Sequence, residues 1–276
     1  MVAAPVLWST AGVVTRHIER ASAFEQVSWR SLFAFIFVFC FFLFRGQSPW
    51  KAASAAGWPG LFSGAMWAVM FTAFVVALSL TTTANTLVVM SVAPLLTAFL
   101  SLVVLREPVS ARTWVAAGAA AAGIAWMFHG GLEAGQLPGM LVAALVPFAS
   151  AANLVALRAA RARVDLIPAV MLGGVLSCLV ALPLALPFVA STKDLLLLSF
   201  LGVFQLGLPC MLLVIASRSL AAPEIALLAL LEVVLGPLWS WLGAGETPGA
   251  ATLAGGAIVL GALAANELSM LRQKYV

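Results

Sequence analysis

A chain of 276 residues with 63% hydrophobic and only 9% charged side chains, at mean hydropathy +1.11, does not present an ordinary water-facing surface; soluble domains carry about 25% charged residues. The net charge of +4 and pI near 9.4 come from Lys and Arg spread over short links, which excludes a nucleic-acid interface and fits the loop bias of a membrane protein. Apolar runs of about 20 residues recur without period-two alternation, so the expected fold is all-α and integral to the membrane, with helices rather than a barrel.

Ten helices are read, near 2–18, 24–44, 58–79, 83–105, 112–129, 137–157, 167–190, 194–217, 222–243 and 250–268. The opening "MVAAPVLWSTAGVV" lacks the basic segment of a cleavable signal peptide and contains Trp8, deep enough to face a cavity. Only about 14 apolar residues precede Arg16, so either helix 1 runs on through Ile18 or residues ahead of Met1 are missing. Arg30 lies about six residues into helix 2, and two readings stand: snorkelling to the outer interface, or contact with a substrate or ion-pair partner. In helix 3, Trp67 and Phe71 are deep cavity candidates, whereas Trp50, Trp58 and Trp114 fall at helix ends as interfacial aromatics do.

Prolines interrupt four of the helices. Pro94 in helix 4 has no N–H for the carbonyl of Met90; Pro147, Pro209 and Pro237 do the same to Ala143, Gln205 and Val233. Freed carbonyls at membrane depth are tolerated where they line a cavity or meet polar neighbours, so four such helices point to a central cavity. Asn85, Asn153 and Gln205 are read either as interhelical hydrogen bonds or as substrate contacts, since buried amides are costly unpaired. Cys40, Cys178 and Cys210 stand singly in apolar runs and read as small core residues. No metal or other cofactor is expected.

Helix 9 carries Glu232 and the deep Trp239 within "LLEVVLGPLWSWLGAGETPG". Glu232 stands roughly 15 Å from either end of its span at 1.5 Å per residue. An ionised carboxylate there costs about 2.5–3.5 kcal/mol on insertion scales. It is read either as a neutral acid bonded to a neighbouring helix or as a carboxylate that serves a proton or a substrate amine.

Orientation follows from the basic residues. Arg45, Lys51, Arg106, Arg112, Arg158, Arg161, Arg163, Arg218, Arg272 and Lys274 follow even-numbered helices, against Arg16, Arg20 and Lys193 after odd ones. The even links and both termini are therefore expected in the cytoplasm. The stretch 91–124 also has a counterpart in 231–263: an apolar helix with Pro, then Glu near Pro, then a helix of small residues. Glu107–Pro108 answers to Glu246–Pro248, and Gly118 and Gly123 to Gly256 and Gly261. Two five-helix repeats, 1–130 and 131–276, are expected, and an odd number of spans per repeat inverts the second. Inverted repeats around a midplane site are a recurrent transporter architecture. Val233–Val234 replaces the position of Pro94, so helix 9 is expected to bend elsewhere, near Pro237, with Glu246 a cap on the outer face.

"LWSTAGVVTR", "QVSWRSLFA", "VAPLLTAFLSLVVLREPVS" and "LEVVLGPLWSWLGAGETPG" together resemble paired EamA repeats of the drug/metabolite transporter superfamily. The resemblance covers nearly the whole chain, and the pattern is most similar to the YddG-type amino-acid exporters. It implies ten helices around a central cavity, cytoplasmic termini, a place in a bacterial inner membrane, and transport of small metabolites, with amino acids including aromatic or other hydrophobic ones the favoured substrates. The expected partners are the small-molecule substrate and the lipid bilayer, with protons a candidate co-substrate and the oligomeric state open. The alternative is a passive channel or a non-transporting membrane scaffold. An enzyme is not expected, since His17 and His129 lie at helix ends and no HExxH, GxSxG or Cys–His pairing occurs. Paired midplane cations are missing from the sequence, which argues against strongly anionic substrates.

Overall fold

Ten helices make up the structure, a computed structural model that describes residues 1–15, 17–81, 86, 89–127, 137–160, 164–244 and 250–274. Its side chains are described as far as Asn266, apart from those of Pro237, Ser240, Gly243, Ala244 and Thr252. Among the described residues every regular element is helical. Helix α1 consists of Ala3–Trp8 and Ala11–Thr15. Between them the hydroxyls of Ser9 and Thr10 donate to the carbonyls of Val6 and Leu7 (2.7 Å each) and compete with the backbone ladder. Helix α2, Ala23–Phe44, starts at Ser22, whose hydroxyl accepts from the Glu25 N–H.

Helix α3, Pro49–Leu80, begins earlier than the sequence reading of 58–79, capped by Ser48 with Pro49 in its first turn. Gly57 (φ 54°, ψ −149°) turns the chain just ahead of Pro59, so a short helix precedes the long one. Helix α4 is helical at Val89 and Met90, turns at Ser91 and Val92, and continues over Ala93–Leu100 and a wider π turn, Ser101–Leu105, that ends on Arg106 in the left-handed conformation. Helices α5, Ala111–Met127, and α6, Leu137–Ala160, follow. Helix α7, Ile167–Ala185, stops short of the expected 190 because Leu186 precedes a proline, Pro187, and is extended.

Helix α8 comprises Thr192–Phe200, a π stretch Leu201–Gly207 and Leu208–Ala216. Helix α9 comprises Ala222–Ala229 and Leu231–Ala244, and α10 is Ala250–Lys274. Among the described residues five helices are long and apolar enough to cross a membrane: α2, α3, α6, α7 and α8. Shorter apolar helices occur at Ala3–Thr15, Ala93–Leu105 and Leu253–Asn266.

The interruption in α9 corrects one expectation. It falls at Leu230, ahead of Pro237, which lies within the continuous segment Leu231–Ala244. Leu230 and Val233 take short-range bonds instead, to the carbonyls of Leu227 and Leu230 (3.0 Å each). In α4 the interruption is at Ser91 and Val92, where Pro94 in the next turn removes a donor and excludes the preceding carbonyl. Both breaks occupy corresponding places in the two repeats.

Helix packing follows the repeat. Exchanging α1–α5 with α6–α10 carries the α3–α7 contact to α8–α2, α3–α6 to α8–α1, and α4–α6 to α9–α1. It returns the contacts α2–α7, α4–α9 and α5–α10 to themselves. Glycines make these crossings close. A Cβ on Gly64 of α3 would meet Leu172 and Ala169 of α7, and one on Gly202 of α8 would meet Phe33 and Arg30 of α2. The exchange thus sets Ala169 in the place that Arg30 holds in the first repeat. At the α3–α7 crossing, a Cβ on Gly173 would stand 2.4 Å from the Trp67 Cβ and 3.2 Å from the Gly64 carbonyl oxygen. Gly173→Val should therefore cost about 1–3 kcal/mol or more through overpacking. The check is the melting temperature in detergent; an unchanged value would mean that the two helices do not approach this closely.

Each end of the bundle is held by charged side chains that join links. At one end the buried Glu25 carboxylate accepts from the N–H groups of Val189 (3.1 Å) and Ala190 (2.9 Å). In return Asp194, in the first turn of α8, accepts from the N–H groups of Glu19 (2.9 Å) and Arg20 (3.2 Å). The two links grip one another, and Lys193 pairs with Glu19 outside them. At the other end Arg158 donates from Nε to both Glu107 oxygens (3.3 Å) and from its terminal nitrogen to the Leu220 carbonyl (3.3 Å), while Arg218 pairs with Asp165 (2.8 Å). Glu107 is therefore an ion-pair partner of Arg158, and it is Arg158 that joins three links. Its counterpart Glu246 lies outside the described residues. Glu25→Ala would strand two N–H groups at about 1–3 kcal/mol each. Thermal unfolding in detergent should move down accordingly, and an unmoved transition would show that water serves those groups equally well.

Candidate functional site

Seven of the ten helices meet around a cavity of about 130 Å³, room for a small solute rather than a single water. The periodicity of α3 decides one wall: Trp67, Met70, Phe71 and Phe74 repeat at three- and four-residue spacing and share a face. Trp67 and Phe71 are buried, their rings 5.6 Å apart and inclined by 34°. From α6 come Pro147, Ser150, Asn153 and Leu154, again one helical face. Trp8 enters from the first segment of α1, beside its break.

The interruptions of α4 and α9 open on the same space. Met90 and Ala93 flank the first break; Ala229, Leu230, Glu232 and Val233 surround the second. From α8 come Gln205, Leu206, Cys210 and Leu213. Gln205 lies in the π stretch immediately ahead of Pro209, where the ladder has slipped to a wider turn in the absence of the proline N–H. Arg30 comes from α2.

Polar groups in the wall are partly unserved. Arg30 does not snorkel: it is 4% exposed, donates from a terminal nitrogen to the Phe71 carbonyl (3.1 Å), and leaves Nε without a partner. The Trp67 indole nitrogen and the Gln205 side-chain oxygen, both buried, also lack partners. Native interiors seldom leave such atoms unpaired, and each costs about 1–3 kcal/mol. Among the described residues Glu232 makes no hydrogen bond or ion pair, in contrast to the carboxylates at the bundle ends. Asn153 accepts from the Ser63 hydroxyl (2.6 Å), so its carbonyl joins α6 to α3 while the residue also lines the cavity.

The structure thus brings together Trp8, Arg30, Trp67, Phe71 and Met90 from the first repeat with Asn153, Gln205 and Glu232 from the second. Trp239 is elsewhere: its indole N–H donates to the Ser9 hydroxyl oxygen (2.7 Å) and ties α9 to the break in α1. Of the three prolines whose side chains are described, Pro147 lines the cavity; Pro94 and Pro209 act one step back, by shaping the backbone beside Met90 and Gln205. The Pro237 side chain and all of Asn85 lie outside what the structure describes. Met70, Phe74 and Ser150 were missed by sequence reading, although extending the faces of Trp67–Phe71 and Pro147–Asn153 by one helical turn finds them. Cys210, read as core, is buried in the cavity wall.

Comparison with known proteins bears on what this cavity serves. The model of the EamA-like transporter family matches residues 1–129 and again 137–266. No curated protein matches the sequence. A solved crystal structure at 20% identity superposes with a TM-score of 0.82, covering 98% of this chain and 96% of that one, a likeness of fold.

Proposed function

The chain belongs to the EamA-like transporter family, and from that premise we propose that it carries amino acids, aromatic and other hydrophobic ones included, out of the cell by alternating access. The observation that carries the reading is the presence of one guanidinium, Arg30, and one carboxyl group, Glu232, in a wall whose other polar side chains, Ser150, Asn153 and Gln205, are uncharged and whose remainder is largely apolar. Such a wall is neutral overall but polarised. It matches a zwitterion: the α-carboxylate on Arg30, the ammonium on Glu232, and an apolar side chain against Trp8, Trp67 and Phe71. A strongly anionic solute would leave charge uncompensated, and a purely apolar one would leave Arg30 Nε unserved.

The setting is a bacterial inner membrane with both termini in the cytoplasm, which the Lys and Arg distribution supports. Breaks in α4 and α9 beside the cavity, at corresponding places in two repeats, support rocking of the repeats about a fixed site. The test is counterflow in proteoliposomes with labelled amino acids, nucleosides and lipophilic cations. Accumulation of neutral amino acids over the other solutes is expected. Ungated conductance without accumulation would make the protein a passive channel.

A further inference from the structure

Arg30 is shared by two cavities. Besides the central one it lines a second, of about 150 Å³, bounded by the start of α2 (Ala23, Gln26), the end of α3 (Val75, Leu78, Ser79) and the first half of α8 (Leu198, Leu201). Phe74 is the other residue common to both. The second cavity lies toward the end of the bundle where the Glu25 and Asp194 carboxylates hold the α7–α8 and α1–α2 links. A guanidinium and one phenyl ring are thus all that the two walls share.

Three uncharged polar side chains line the second cavity, Thr15 from the end of α1 with Gln26 and Ser79, and hydrogen bonds fix the sense of the last two. Gln26 donates one amide N–H to the Ala21 carbonyl (2.9 Å), which turns its nitrogen toward the backbone and leaves its side-chain oxygen to accept. Ser79 donates its hydroxyl to the Val76 carbonyl (2.8 Å), which leaves its oxygen lone pairs. This cavity therefore offers hydrogen-bond acceptors alongside the cation Arg30, with Gln26 one turn before it on α2, and the central one holds Glu232 in the same wall as that cation. Arg30 has donors for both: one terminal nitrogen is engaged by Phe71, and the buried Nε has no partner.

Resting on the amino-acid reading above, we propose that the second cavity is a transit site for the transported zwitterion. Arg30 keeps hold of the carboxylate while the ammonium moves from Glu232 to the Gln26 and Ser79 oxygens, and Phe74 is the partition that must swing aside. One fixed cation with two sets of acceptors lets the solute cross without releasing its carboxylate into an apolar space, the costliest event on any such path.

The test separates binding from passage. Gln26→Phe and Ser79→Phe each fill the second cavity; Ser79 is exposed and tolerates the larger side chain. Phe74→Ala opens the partition. Both filling variants should slow counterflow of leucine and phenylalanine about tenfold or more, because passage sets the rate. Equilibrium binding of the same amino acids in detergent should stay within about threefold, under 1 kcal/mol. Phe74→Ala should exchange faster than the wild type. Undiminished exchange in both filling variants, with wild-type binding and exchange intact, overturns the transit site alone. A wild-type protein that neither binds nor exchanges any amino acid removes the transport reading and the transit site with it.

Discussion

Arg30→Gln should abolish saturable transport of neutral amino acids, with Arg30→Lys recovering only part of it. The guanidinium is buried and makes one bond, to the Phe71 carbonyl, which fixes it in the cavity wall without neutralising it. A solute carboxylate would supply the missing counter-charge and serve the free Nε. Hydrogen bonds to charged groups contribute about 1.5–3 kcal/mol, so losing the pair corresponds to roughly 10- to 150-fold in affinity. Glutamine keeps a donor but no charge, and lysine keeps the charge but loses the planar fork that fits a carboxylate. The close α2–α8 crossing rests on Gly202 against the backbone of Arg30, so the substitution leaves that contact in place. A readout particular to the carboxylate is competition by the decarboxylated amine: it should compete poorly in wild type and on nearly equal terms in Arg30→Gln. Identical competition profiles in the two proteins would exclude Arg30 from substrate recognition.

What the sequence discloses depends on how local the responsible physics is. Apolar runs and the basic residues after even helices mark spans and their order because burial in lipid acts on composition alone. Prolines announce freed carbonyls, and Met90 and Gln205 do stand beside Pro94 and Pro209 at the cavity. The break at Leu230 was not legible in the same way: no proline or hydroxyl marks it, and Pro237 drew attention to the wrong turn. The break in α1 was legible in principle from the adjacent Ser9 and Thr10, which bond back to their own helix. Trp239 shows the limit for side chains. Depth in a helix is readable, but which neighbour an indole meets depends on helix rotation, and here rotation brings Ser9 to it. The short helix ahead of Gly57 was hidden because its eight or so residues are too few and too polar for a hydropathy signal. Grouping Arg30 and Glu232 in one wall required the fold, since the two residues belong to different repeats.

Glu232→Gln should remove the pH dependence of transport and reduce uptake of amino acids into inverted vesicles by about tenfold or more, the cost of losing one charged hydrogen bond in an apolar site. Position makes this residue distinctive. It lies in the first turn of Leu231–Ala244, directly after the break, where the unpaired N–H groups and the helix dipole favour a negative charge. In broken transporter helices that place commonly faces an anionic group of the substrate. Here the protein puts its own carboxylate there, so the same helix end presents an acceptor for an ammonium or a proton instead. The corresponding segment of α4 opens on Ala93 and Pro94, with no acid. The two repeats thus give the cavity different groups: a guanidinium from α2 and a titratable carboxyl from α9. Glutamine keeps the size and the hydrogen-bonding oxygen but neither titrates nor carries charge. A solute without an amine, such as the deaminated carboxylic acid, should then bind Glu232→Gln at least as well as the parent amino acid does, reversing the wild-type preference. Folding should persist, because Glu232 makes no hydrogen bond or ion pair among the described residues that its removal would strand. Retained pH dependence together with an unreversed preference would reduce Glu232 to a helix-end residue and leave the ammonium site to be sought among Asn153, Ser150 and the free backbone carbonyls.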